Sequence, residues 1–254
     1  MDFTLSGEQI ELKEAARAWL ADKFPLDRDW EAQADRWSEL EELGWLDVAE
    51  AGLGFVEEAL LLEELGYALY PGPYLAHVTG LTDVIGGEIA TVDATRPLQT
   101  MDPPAESPRL RAAMAAEAVG VAQRAFDLGI EHAKTREQFG KPIGTYQAVS
   151  HPLAQTYTDV ELARSLAYWA AWCVAEEEMA GSGGGRAVLA AAAAKAFATE
   201  AAVAACERSI QLHGGTGFTW EHPLHRFYKR AIWLEGFGTR PAELRLEVAD
   251  ALLT

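Results

Sequence analysis

The sequence predicts an all-α chain: a small N-terminal helical domain, then a C-terminal antiparallel helix bundle, with at most a remnant β-hairpin between them. Three observations carry this. Helix-start and helix-stop signals punctuate most of its 254 residues. Apolar residues recur at helical rather than alternating spacing. Strand-like patterning is confined to one short run, residues 89–93.

Taken in order, the first helix opens at a capping box, Ser6-Gly7-Glu8-Gln9. It runs to about residue 21, with Ile10, Ala15, Ala16 and Leu20 along one face. Residues 30–43 and 55–65 give two more helices, with Gly44 and Gly66 as their terminating glycines. Tyr70-Pro71-Gly72-Pro73 then breaks the chain. Residues 76–108 read as a connector: they hold Gly80, Gly86, Gly87 and Pro97, and end in an open linker over 101–108. Residues 109–134 form a long helix, and 146–180 a second. Pro152 falls near the start of the second, where a missing N–H is best tolerated. After the Gly-rich turn at 181–185, helices follow over 186–212, 223–234 and 241–252. The domain division is therefore 1–75, 76–108 and 109–254.

Composition excludes several classes of function. A chain of this size buries about 70% of its unfolded surface without a disulfide or metal staple. Lys+Arg is 21 and Asp+Glu 39, a net charge of −18, which disfavours nucleic acid and anionic membranes as partners. Residues 1–66 hold 18 acids against 5 bases, so any anion-binding function belongs further along. Cys173 and Cys206 lie far apart without a CxxC pattern; they read as buried apolar groups in a reducing compartment, the cytoplasm. The N-terminal stretch has neither a basic start nor an apolar core, so a signal peptide is not expected. The most apolar stretch, 187–206, is mostly alanine and contains Lys195 and Glu200, so no membrane span is expected either. The histidines show no metal-ligand spacing.

Two stretches could carry chemistry. Arg136-Glu-Gln138-Phe139-Gly140-Lys141-Pro142-Ile143, followed by Tyr146-Gln147, lies where one long helix ends and the next begins. Gln211-Leu-His-Gly214-Gly215-Thr-Gly217-Phe218-Thr-Trp220-Glu221-His222-Pro223 runs from a helix through glycines into another. Glycines of this kind bring bare backbone N–H groups close to a phosphate, and an arginine supplies a two-pronged partner for it. The bland counterparts are a C-terminal helix cap and a surface cation.

Together these stretches resemble the two C-terminal signatures of the acyl-CoA dehydrogenase family of flavoproteins. The opening 20 residues and Leu61-Leu-Glu-Glu-Leu-Gly66 resemble that family's N-terminal helical domain. The resemblance covers about 1–75 and 109–254. It implies that Arg136, Gln138, Phe139, Gln147, Gln211, Gly214 and Gly215 serve the FAD of a neighbouring subunit. Two departures stand out. Family members carry a β-barrel domain over the flavin ring, and residues 76–108 are too few for one. The family's usual catalytic glutamate aligns, without gaps, with Gly238, and the tyrosine before it with Phe237. Losing a positioned base costs about 10²–10⁴ in rate. Sliding the register by three residues makes Glu235 the runner-up base. Some relatives place the glutamate on the first long C-terminal helix, where Leu110 stands here; Glu117, two turns on, reads as a helix-packing carboxylate.

The resemblance then implies a truncated small subunit of an α2β2 acyl-CoA dehydrogenase of the actinobacterial kind, which oxidises bulky steroid side-chain CoA thioesters. Its FAD would be shared with a longer, catalytically complete sister chain. Further partners would be the acyl-CoA and an electron-transfer flavoprotein or similar acceptor. Other readings stay open: a self-sufficient homo-oligomeric enzyme using Glu235, or a non-catalytic helical interaction module or CoA-thioester-binding protein.

Overall fold

The computed structural model describes residues 4–30, 34–48, 52–81, 106–181 and 185–253. Helix α1, Gly7–Lys23, begins at the predicted capping box: Gln9 N–H donates to Ser6 Oγ at 3.2 Å and Ser6 N–H to Gln9 Oε1 at 2.9 Å. Helix α2, Trp37–Glu42, is shorter than the 30–43 expected. Asp35 Oδ1 accepts the Trp37 N–H at 3.2 Å and Arg36 is left-handed at φ 53°, so the polar residues before Trp37 build a turn, not a helix. Gly44 closes α2 at φ +73°.

Helix α3, Phe55–Ala68, runs through Gly66 and ends at left-handed Leu69. The expectation that Gly66 terminates it was wrong. A Cβ on Gly66 would overlap the Glu117 carbonyl, and one on Gly120 would overlap the Glu63 carbonyl and lie 2.6 Å from Tyr67 N. These glycines let α3 cross backbone to backbone against helix α5, Pro108–Thr135. Between them, after the Tyr70–Pro73 break, is α4, Tyr74–Thr79. The strand-like run at 89–93 and most of the connector and its linker lie outside the described residues.

Helix α5 starts at Ser107, whose Oγ accepts the Leu110 N–H at 3.1 Å, with Pro108 as its first residue. A two-residue hairpin that the sequence did not announce follows it: β1, Glu137–Gln138, pairs antiparallel with β2, Lys141–Pro142. Phe139 and Gly140, at φ 54° and 77°, supply the two positive φ angles of its turn. Beyond a 3₁₀ turn at Ile143–Thr145 come α6, Gln147–Ala180, and α7, Gly185–His213. A second 3₁₀ turn, Gly214–Phe218, leads to α8, Leu224–Gly236, and α9, Pro241–Leu253.

Helix α7 is the hub. It packs on α5, α6, α8 and α9 through an alanine-rich surface that allows close approach. By length and composition, 185–218 is apolar enough to cross a membrane, contrary to the expectation drawn from Lys195 and Glu200. Most of that stretch is buried, and the bundle neutralises its charge internally: the fully buried Lys195 ammonium is ion-paired with Glu106. One apolar core joins Ala16, Leu20 and Leu61 to Val119, Ala170, Ala198 and Leu234, so α1 and α3 share it with the bundle. Ion pairs tie its helices together: buried Arg230 with buried Glu117 at 2.6 Å, and half-buried Lys13 with buried Glu63 at 2.9 Å.

Candidate functional site

The seven candidate residues fall on two adjoining units at one end of the bundle. Arg136 caps α5: its N–H donates to His132 O and its carbonyl accepts from Ile143 N, both at 2.8 Å. The backbone is thus held from two sides while the side chain is exposed, and among the described residues its guanidinium makes no ion pair. Gln138 lies on the exposed hairpin, its carbonyl accepting from Tyr146 Oη at 3.1 Å. Phe139, at the hairpin tip, is 93% exposed and touches the Tyr146 ring only edge-on. Gln147 is the first residue of α6, which has neither a side-chain cap nor an acid in its first turn. Its positive end therefore stays available to an anion.

The second unit holds Gln211, exposed on the last turn of α7, and Gly214 and Gly215 on the 3₁₀ turn. A Cβ at either glycine would meet nothing within 4 Å, so both backbones stand open to a ligand. Gly217 differs: its Cβ would lie 2.7 Å from Ile210 O, and it serves packing.

The units are joined by histidines for which the sequence offered no metal-ligand spacing and no other role. His132, one turn before Arg136, stacks on His213 with ring centroids 4.1 Å apart. His213 is 4.4 Å from His222. Each adjoins a motif residue, a signal that spacing arithmetic for metal ligands overlooks. Among the described residues no three His, Cys, Asp or Glu side chains are placed to hold a metal. Phe218 and Trp220 add exposed rings, the Trp220 face meeting Lys229 at 4.6 Å. Beside the hairpin, a mostly apolar groove of about 510 Å³ runs between α5 and α6, lined by Phe126, Ile130, Leu153 and Tyr157.

The candidate base positions lie elsewhere. Gly238, at φ +67°, has no room for a side chain: a Cβ there would overlap the Glu106 carboxylate. Glu106 accepts from buried Lys195 Nζ, from Thr239 N–H at 3.0 Å and from Arg111 Nε at 3.0 Å. Burial alone would raise its pKa, but the Lys195 bond and charge, helped by Thr239, hold it below the ordinary carboxylate value. Lys195 also donates to the carbonyls of Phe237 and Thr239 at 2.6 and 3.0 Å, clamping the loop on both sides of Gly238. Glu235 sits in the last turn of α8, raised by burial and by Glu200 and Glu207. Leu110 is buried apolar, and Glu117 is the packing carboxylate expected of it, ion-paired with Arg230.

Comparisons with known proteins agree with this architecture. The family model described as "Acyl-CoA dehydrogenase, C-terminal domain" matches residues 108–239. Acyl-CoA dehydrogenase IpdE2 of Mycobacterium tuberculosis is 31% identical, over 73% of this chain and 74% of its own length. The steroid ACAD Tcur3481–Tcur3483 superposes with a TM-score of 0.77 at 24% identity, over 98% of this chain and 99% of its own. The ChsE4–ChsE5 complex from Mycobacterium tuberculosis gives 0.78 at 21%, over 100% and 99%. At these identities the two structures establish a shared fold. The profile match over just over half the chain, together with the IpdE2 similarity, establishes more: the chain belongs to the acyl-CoA dehydrogenase family.

Proposed function

We propose that this chain is the small subunit of a heteromeric, FAD-dependent acyl-CoA dehydrogenase of the cytoplasm, built as 1–75, 76–108 and 109–254, and that it completes the FAD site of a longer sister chain. One observation carries the proposal: the seven candidate residues gather at one end of the bundle, while the side-chain space at Gly238 is already filled. At that end Arg136, the uncapped start of α6 and the open glycines 214 and 215 offer the charge and close backbone approach a diphosphate needs. Gln138, Phe139, Gln147 and Gln211 flank them with amides and an exposed ring. At Gly238 the side-chain space belongs to Glu106.

FAD, when bound, supplies the hydride acceptor for α,β-dehydrogenation of an acyl-CoA. This chain's residues hold its nucleotide half, and proton abstraction at Cα falls to the sister chain. That one similar structure is a complex, ChsE4–ChsE5, and another a steroid ACAD, Tcur3481–Tcur3483, favours a paired assembly, which we take as α2β2, and a bulky acyl group, which we take as of steroid side-chain type. An electron-transfer flavoprotein or similar carrier would reoxidise the flavin.

Purification decides the matter. The chain alone, given excess FAD and desalted, should retain no stoichiometric flavin. Co-purified with its sister it should carry two FAD per four chains. A yellow 1:1 complex of the chain alone would sink the proposal and favour a homo-oligomer using Glu235.

A further inference from the structure

Three imidazoles meet where the two FAD-facing units join, and the proposal above gives them no work. His132 comes from α5, His213 from the end of α7 and His222 from the turn entering α8, with successive ring centroids 4.1 and 4.4 Å apart. His213 Nδ1–H donates to Ser209 O at 2.8 Å, which leaves its Nε2 open to a proton. His222 Nδ1 accepts the Leu224 N–H at 3.3 Å, which places its hydrogen on Nε2. The charged groups facing the stack are cations or further imidazoles: Arg136 from α5, then His225, with Arg226 and Lys229 behind it, from α8. Among the described residues none of the three rings is ion-paired with a carboxylate. Burial and mutual proximity favour the neutral form of two of them: His132 is lowered, and His222 is pushed down to about 4.

We propose that nucleotide binding at this end of the bundle is coupled to the uptake of a proton by the His132–His213–His222 cluster. The inference rests on the FAD reading and deepens it. A diphosphate on Arg136 cancels the neighbouring positive charge and adds a negative field, which favours an imidazolium. Linkage is reciprocal, so the imidazolium strengthens the hold on the diphosphate. The proton comes from solvent. His213 Nε2 accepts it without losing the bond to Ser209, whereas His222 would have to surrender the Leu224 N–H.

The test follows the imidazole protons of the full chain by NMR, from about pH 7.5 to 4.5, with and without millimolar ADP, which carries the diphosphate. With ADP bound, the midpoints of the cluster should rise by about 0.5 or more while those of His77 and His151 stay in place. Between about pH 7.5 and 5.5 the parent's ADP affinity should gain about fivefold or more over that of a His132→Gln/His213→Gln variant, a ratio from which protonation of ADP's own terminal phosphate cancels. If ADP perturbs the Arg136 and Gly214 amides but leaves the midpoints unmoved, the coupling is overturned and the nucleotide site stands. If ADP perturbs neither amide, the nucleotide site falls and the coupling with it.

Discussion

At the scale of single residues, the site divides into groups held in place and groups left bare. Arg136 is the clearest case, with its backbone bonded on both sides and its guanidinium in solvent. If it grips a diphosphate, its charge-assisted bonds contribute about 1.5–3 kcal/mol. Arg136→Ala should then weaken FAD binding to the assembled enzyme about 10- to 150-fold, with turnover largely restored at saturating FAD. Arg136→Lys should recover only part of that affinity, since an ammonium cannot fork two oxygens. An unchanged FAD affinity in Arg136→Ala would leave an ordinary surface arginine. Glu235 supplies the complementary test. Its raised pKa has a structural cause, burial beside Glu200 and Glu207 on α7. Glu235→Gln should therefore keep dehydrogenation within about threefold of the parent, and a loss of 10²-fold or more would restore it as the base.

At the scale of elements, the helices were legible because caps and periodicity are local. The start of α1, the start of α5 to within one residue of the expected Arg109 and the long span of α6 all follow from residues within one turn of each boundary. What escaped was set by partners far along the chain. Gly66 looks like a stop signal until Glu117 is seen against it, and the three histidines look unrelated until α5 meets α7. The hairpin at 137–142 escaped for another reason: its turn puts a phenylalanine at φ 54°, which turn preferences do not anticipate. The α3–α5 crossing makes a quantitative case. Gly→Ala inside a helix ordinarily gains about 1 kcal/mol. At Gly120 the new methyl would meet the backbone of Glu63 and Tyr67, which cannot rotate away. Overpacking of this kind costs about 1–3 kcal/mol, and with rigid backbone on both sides the upper end applies. Gly120→Ala should therefore lower stability by about 2 kcal/mol, read as a fall in the urea midpoint at unchanged slope. A midpoint that rises would mean the helices stand further apart than this crossing requires.

At the scale of the whole molecule, charge ties fold to function. Acids crowd the N-terminal residues, whereas Arg136, Arg226 and Lys229, all in the second half of the sequence, lie beside the imidazoles. Of this the sequence displayed the asymmetry but not the stacking, which depends on α7 delivering His213 between two other elements. The stacking has a consequence for stability that is independent of any cofactor. His132, His222 and His225 all hold their protons less tightly than the ordinary imidazole value of 6.5, chiefly through burial. Above that value the rings are neutral in both folded and unfolded chains, and their contribution is fully present. As pH falls from about 6.5 towards 4, the unfolded chain takes up protons that the folded chain refuses, and each uptake favours unfolding. The imidazole contribution to the urea midpoint should thus decline through this window, against an opposite gain from the raised carboxylates Glu58, Glu64 and Glu235 and before the paired Glu63 and Glu106, held below their ordinary value, begin to protonate. His222→Gln removes the ring displaced furthest without adding charge, so its midpoint should fall less steeply over the same window. Parent and variant declining in parallel would show that His222 titrates normally in the folded chain.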